Sequence, residues 1–238
     1  MNYYILGYEL IDIMDVYNKI LNNIERARSI KRRDSLNTAI YVYFYDLINR
    51  VTPFSIYRIL LLKAEKIPKG FDKLPPKFKI RTLTELEALD YAKDPRNDMN
   101  ISFVQKSVAN GETCLGVFDG NRLVEYGWFS DRPCHTRREL YFFFDNTYKY
   151  IHKVFTYPEY RGQRLHAYGK AYACRRYAEQ GYKGILSTVE AHNLNSLRSN
   201  QRMGAEMVGS LYAFMLSGRY RTYRDRGSRQ LNCSLGLP

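Results

Sequence analysis

The run FTYPEYRGQRLHAYGKAYA, residues 155–173, restricts the possible folds more than any other stretch. A β-like segment ends near Pro158, Arg161-Gly162 turns the chain, and a helical stretch rich in Ala and Tyr follows. This is a strand feeding a helix through a short loop, the mark of an α/β unit. Ala167, Ala171, Cys174 and Ala178 form a stripe of small side chains that lets the helix lie close on a sheet, and Lys170, Arg175 and Arg176 are expected to face outward. The helix would begin at the strand's C-terminal edge, where free amides, the helix dipole and nearby arginines can hold a phosphate.

The flanking segments extend this unit into a mixed α/β sheet protein. KFKIRTLT reads as a short strand, and Thr84 with Glu87 forms a capping box that starts a helix over Glu85–Tyr91. Residues 113–118 and 121–129 are two β-like runs joined by Asp119-Gly120, a dipeptide suited to a tight hairpin. Strands are expected over 140–144 and 148–156, then the loop, a helix to about Gln180, a strand over 184–190, a helix closing at Gly204, and a last strand over 208–216.

IPKGFDKLPPK, residues 67–77, concentrates Pro, Gly and Lys and reads as a linker between residues 1–66 and a domain over 78–238. Residues 1–66 read as a helical, amphipathic, basic extension. Apolar residues from Leu10 to Ala27 recur at helical spacing, a cluster from Arg26 to Arg33 follows, and TAIYVYFYDLI and SIYRILLLKAEK supply two more apolar segments. Two roles are open: the extension packs on the domain, or it rests as an arm on an anionic membrane surface.

A formal charge of +13 points to anionic partners: a phosphate-bearing cofactor, nucleic acid, acidic lipid or an acidic substrate. The four cysteines have no CxxC or CxH spacing, so the sequence indicates neither a zinc site nor a redox pair and suggests reduced thiols in a cytoplasmic setting. No signal peptide and no apolar run near 18 residues is visible.

The order of elements and the residues KFKIRTLTELEAL, CLGVFDGNRLVEYGWFS, FTYPEYRG and VEAHNLNSLRSNQRMGAEMVG resemble the GCN5-related N-acetyltransferase (GNAT) superfamily over roughly residues 78–216. The resemblance implies a fold that binds acetyl-CoA, or another acyl-CoA, in a splay between two central strands. It implies that the backbone near Phe155 and Thr156 pairs with the pantetheine arm. The loop formed by Arg161, Gly162, Gln163, Arg164, Leu165 and His166 would hold the pyrophosphate, with Asn193, Ser196 and Asn200 of the later helix beside the cofactor. Arg164 and His166 stand where the family usually has small residues. Asn200 stands where many members carry a Tyr that protonates the leaving thiolate, and Asn cannot act as an acid.

Acyl transfer to an amine needs a base, polarisation of the carbonyl and protonation of the thiolate. His152, Glu190 and Glu125 are the candidate bases; His152 is favoured because imidazoles titrate near neutrality and it precedes the loop by a few residues. Tyr212 is a candidate acid. The expected acceptor is a small-molecule amine, with an amino sugar or a lipid-linked amine as finer readings. Two rivals remain: acyl transfer from an acyl carrier protein, and a non-catalytic protein whose SGRYRTYRDRGSRQ segment binds nucleic acid. The sequence carries no signal of oligomeric state.

Overall fold

The computed structural model describes residues 36–136 and 139–238. The helix expected over Leu10–Ala27 and the basic cluster after it lie outside the described residues. The chain divides into two compact units, Met1–Phe54 and Ser55–Pro238.

In the first unit, α1 (Leu36–Val51) presents Leu36, Ile40, Phe44, Leu47 and Ile48 as exposed side chains. Asn49 accepts the backbone N–H of Phe54, and the Tyr45 ring lies against that of Phe54. Among the described residues, no helix is long and apolar enough to cross a membrane.

The second unit is built on β1 (Phe54–Leu62), β2 (Phe78–Thr82), β3 (Thr113–Asp119), β4 (Arg122–Ser130), β7 (Lys149–Thr156), β8 (Ile185–Glu190), β9 (Glu206–Leu216) and β10 (Arg219–Arg224). These form one mixed sheet in the order β10-β9-β1-β8-β7-β4-β3-β2. The short strands β5 (Cys134–His135), β6 (Tyr141–Phe143) and β11 (Ser234–Gly236) make a second sheet. Helices α2 (Glu85–Tyr91) and α3 (Ile101–Ala109) pack over Phe118 and Trp128, and α4 (Leu165–Glu179) lies over β3, β4 and β7. Then come α5 (Leu194–Arg202) and α6 (Arg226–Gln230). The capping box is present at Thr84 and Glu87; Asp119 still pairs with Arg122, so the hairpin turns through Gly120-Asn121, one residue later than expected, with Gly120 at positive φ. The helix α3 had no counterpart in the sequence reading.

The largest correction concerns residues 54–62. They were expected in a helical extension but form a strand paired antiparallel to β8 and adjacent to β9. Leu60 and Leu62 enter the core beside α4, whereas Tyr57, Ile59 and Leu61 enter the core on the other face. A strand buried on both faces loses its apolar-polar alternation, and its continuous apolar run then cannot be told from a buried helix by pattern alone. The linker is likewise docked. Ile67 and Phe71 pack on the core, and Arg175 donates to the Phe71 carbonyl at 3.1 Å and pairs with Asp72 at 2.5 Å. The basic segment after Ser217 is not a loose tail: it forms β10, paired with β9, and the helix α6.

On α4, Ala167, Ala171 and Cys174 face the sheet as expected, whereas Ala178 is exposed. Lys170, expected to face outward, is only 2% exposed.

Candidate functional site

β7 and β8 are parallel and pair only at Lys149 with Ile185 and Tyr150 with Leu186. Beyond that point the register ends, so the C-terminal halves of the two strands no longer share a ladder and leave a fork between them. α4 begins just past the end of β7, and α5 just past the end of β8. The fork therefore meets the N-termini of two helices.

On one side lies a cleft of about 650 Å³, lined by Thr156 at the end of β7, by Arg161, Gly162, Arg164, Leu165 and His166 of the loop, and by Phe71, Tyr160, Ser199 and Arg202. Gly162 has φ of +82°, a conformation open to glycine at little cost. Arg164 precedes α4 in the left-handed region, at φ 61° and ψ 21°, and its side chain does not cap the helix. The N-cap side chain thus leaves the first-turn amides of α4 uncapped, while three arginines, Arg161, Arg164 and Arg202, line the same space. That donor set suits a pyrophosphate. Arg161 Nε also donates to the Thr156 carbonyl at 3.2 Å, holding the loop against the strand end.

His166, the second departure from a small residue in the loop, lies 3.5 Å through Nδ1 from Oε1 of Glu125 on β4. Glu125 is 3% exposed, and burial raises its carboxyl pKa against the lowering effect of His166. A Cβ on Gly169 would stand 3.0 Å from the Glu125 carboxylate, so glycine makes room for this pair beneath α4.

On the other side lies a second cavity of about 360 Å³. It is lined by the hydroxyl-bearing residues Tyr57, Thr136, Tyr150, Thr188 and Ser196, by Glu190, and by His135 and His152; the hydroxyls of Tyr150 and Thr188 bond to each other at 2.6 Å. The pairing of β4 with β7 shifts register opposite His152: Trp128 faces Lys153 and Phe129 faces Ile151. His152 is the extra residue of this bulge, a device that re-aims a side chain. Its Nε2 lies 2.9 Å from Oε2 of Glu112, whose side chain is 6% exposed. Cys134 stands beside them, with the three ligand-type atoms within 4.8 Å of one another; burial pushes its thiol up to about 12. These three residues are far apart in sequence, so no spacing motif could have announced them. Glu190 pairs with His192 at 3.4 Å.

The structure brings the expected site residues together unevenly. His152 and Glu190 share the smaller cavity; Thr156, Arg161, Gly162, Arg164, Leu165 and His166 share the larger. Phe155 packs against Tyr126 and Tyr157, and Gln163 is exposed without lining the cleft. Asn193 caps α5 by accepting the Ser196 N–H, and both line the smaller cavity rather than the cofactor-sized cleft. It is Ser199 and Arg202 that α5 turns to the larger one, a face that periodicity could have suggested. Asn200 is buried, donates to the Ser196 carbonyl at 2.9 Å and accepts from Lys170 Nζ at 2.6 Å. Tyr212 lies on β9 with its ring against Tyr223, two strands from β8, and lines neither cavity.

Among solved structures, a GCN5-related N-acetyltransferase-like protein from Streptococcus suis aligns at 15% identity and TM-score 0.48, covering 79% of this chain and 68% of its own. AAC(6')-Iy in complex with the bisubstrate analogue CoA-S-monomethyl-acetylneamine aligns at 13% identity and TM-score 0.42, over 63% of this chain and 98% of its own. A Drosophila protein aligns at 15% identity and TM-score 0.46 over 71% of this chain, a match that spans only 53% of the Drosophila chain. No curated protein matches the chain. The sequence pattern of the acetyltransferase (GNAT) family, in contrast, matches residues 80–205. That match runs from β2 through the fork and α5 and takes in more than half of the chain, so the protein belongs to the GNAT acetyltransferase family.

Proposed function

We propose that the protein transfers an acetyl group from acetyl-CoA to a primary amine bound in the cavity beside His152. The observation that carries this reading is the fork between β7 and β8, with an arginine-lined cleft at one side and a polar, imidazole-bearing cavity at the other. The first suits the diphosphate of a CoA, and the second suits a small amine. Bound acetyl-CoA would supply the acyl thioester.

The chain's own groups then have distinct tasks. Arg161, Arg164, Arg202 and the first amides of α4 hold the phosphates and fix the depth of the pantetheine arm. His152 takes a proton from the amine as it attacks, and Glu112 holds the imidazole in place. The hydroxyl-rich wall suits an acceptor that carries hydroxyls of its own, such as an amino sugar. Beneath α4, Leu115, Phe129 and Ile151 pack with no space for a water molecule, which favours a short acyl group over a long chain.

The test is a thermal shift with acetyl-CoA, CoA and a long-chain acyl-CoA, followed by thiol release with a panel of amines. Stabilisation by acetyl-CoA and CoA, and thiol release with hydroxylated amines, is the expected result. Absence of any shift, together with salt-sensitive binding of oligonucleotides, would overturn it.

A further inference from the structure

Lys170 is the residue whose place in the fold the acyl-transfer reading leaves unused. It lies on the sheet-facing side of α4, among Ala167, Ala171 and Cys174, at a position where a small side chain would pack. Its Nζ donates to Ser187 Oγ at 3.0 Å and to Asn200 Oδ1 at 2.6 Å. Both acceptors are neutral. Among the described residues no carboxylate pairs with it: Glu125, which shares the tight space beneath α4, is engaged with His166, and the titratable group acting on Lys170 through its charge is Cys174, itself pushed up to about 11 by burial. An ammonium held this deep without a counter-ion is costly to keep unless negative charge arrives beside it.

The position says where that charge would come from. Ser187 is the first residue of β8 after the last pair with β7, so Lys170 points at the apex of the fork, and Asn200 ties it to the helix between the two cavities. Building on the acyl-transfer reading, we propose that Lys170 is the acid that protonates the departing CoA thiolate. The amine nitrogen forms its bond to the acyl carbon, the C–S bond breaks with its electron pair on sulfur, and sulfur takes a proton from Nζ. The proton released by the amine goes to His152 and from there to solvent, and Lys170 is reprotonated from solvent after CoA has left the fork. Burial lowers the Lys170 pKa, which makes its ammonium a readier proton donor to sulfur.

The contact with sulfur can be read without turnover. Calorimetry at pH 6.5 compares CoA with desulfo-CoA, which lacks only the sulfur, on wild type and Lys170→Met. Wild type is expected to bind CoA roughly tenfold tighter than desulfo-CoA, in keeping with a charge-assisted hydrogen bond, and Lys170→Met should bind both alike. If the variant does not fold, 15N-lysine NMR of wild type gives the same answer: the Nζ signal of Lys170 should move with CoA and not with desulfo-CoA. Equal binding of the two ligands by wild type, an unchanged preference in Lys170→Met, or an Nζ signal blind to the sulfur would overturn the role of Lys170 alone. Failure of wild type to bind either ligand would overturn the acyl-transfer reading on which it rests.

Discussion

Nε2 of His152 lies 2.9 Å from Oε2 of Glu112, and the two are set together by a bulge in β7 and by the residue that leads into β3. A buried carboxylate set against an imidazole fixes the orientation of the ring. His152→Ala should therefore lower kcat by about 100-fold or more and Glu112→Gln by about tenfold, both with CoA affinity nearly intact. Steady-state kinetics with calorimetric CoA binding checks this; unchanged kcat in His152→Ala would remove it as the base.

Cys134 completes a trio with these two, and Cys, His and Glu are a donor set that Zn2+ accepts. Added Zn2+ is expected to inhibit turnover reversibly, with recovery on chelation. Cys134→Ser should be markedly less sensitive, and equal sensitivity would place the metal elsewhere.

Gly162 faces open space, so an added Cβ there meets nothing, yet φ of +82° penalises any L side chain. Gly162→Ala should cost about 1 kcal/mol of stability. If the loop amides hold a pyrophosphate, CoA binding should weaken by more than that cost implies. Parallel losses in denaturation and binding would mean that the glycine serves only the turn.

Beneath α4, Gly169→Ala places a methyl group 3.0 Å from the Glu125 carboxylate. The pair with His166 must then shift, at a cost of about 1–3 kcal/mol. Denaturant unfolding measures the cost, and a neutral result would show that Glu125 moves freely.

Lys170 gives stability a pH slope. The unfolded chain keeps this proton up to the ordinary lysine value of 10.5, whereas the folded protein releases it near 7. Between these limits the unfolded state binds more protons, so stability rises with pH; below pH 7 the full penalty, about 5 kcal/mol, persists. Wild type should therefore gain stability relative to Lys170→Met as pH climbs from 7 towards 10.5. Parallel curves would refute the lowered pKa.

Local signals were legible where local chemistry decides. The capping box at Thr84 and the strand-loop-helix at Arg161 appear where pattern places them, and the hairpin turn falls within one residue of its place, because caps and turns are satisfied within a few residues. What the pattern missed depends on partners far along the chain. Residues 54–62 are a strand only because β8 and β9 flank them, and Lys170 is buried only because Ser187 and Asn200 wait for it. The His152–Glu112 pair rests on a bulge, which no hydrophobic periodicity records.

The place of β1 also bears on the order of events when the protein is made. Tyr57 pairs with Glu190 across more than a hundred residues, and on its other side the strand neighbours β9. During synthesis this very apolar strand emerges long before either partner, and loops of that length close slowly. Until β8 and β9 leave the ribosome it has no ladder to join, so the early half of the chain carries an unpaired, aggregation-prone strand, and the middle of the sheet is among the last parts to close.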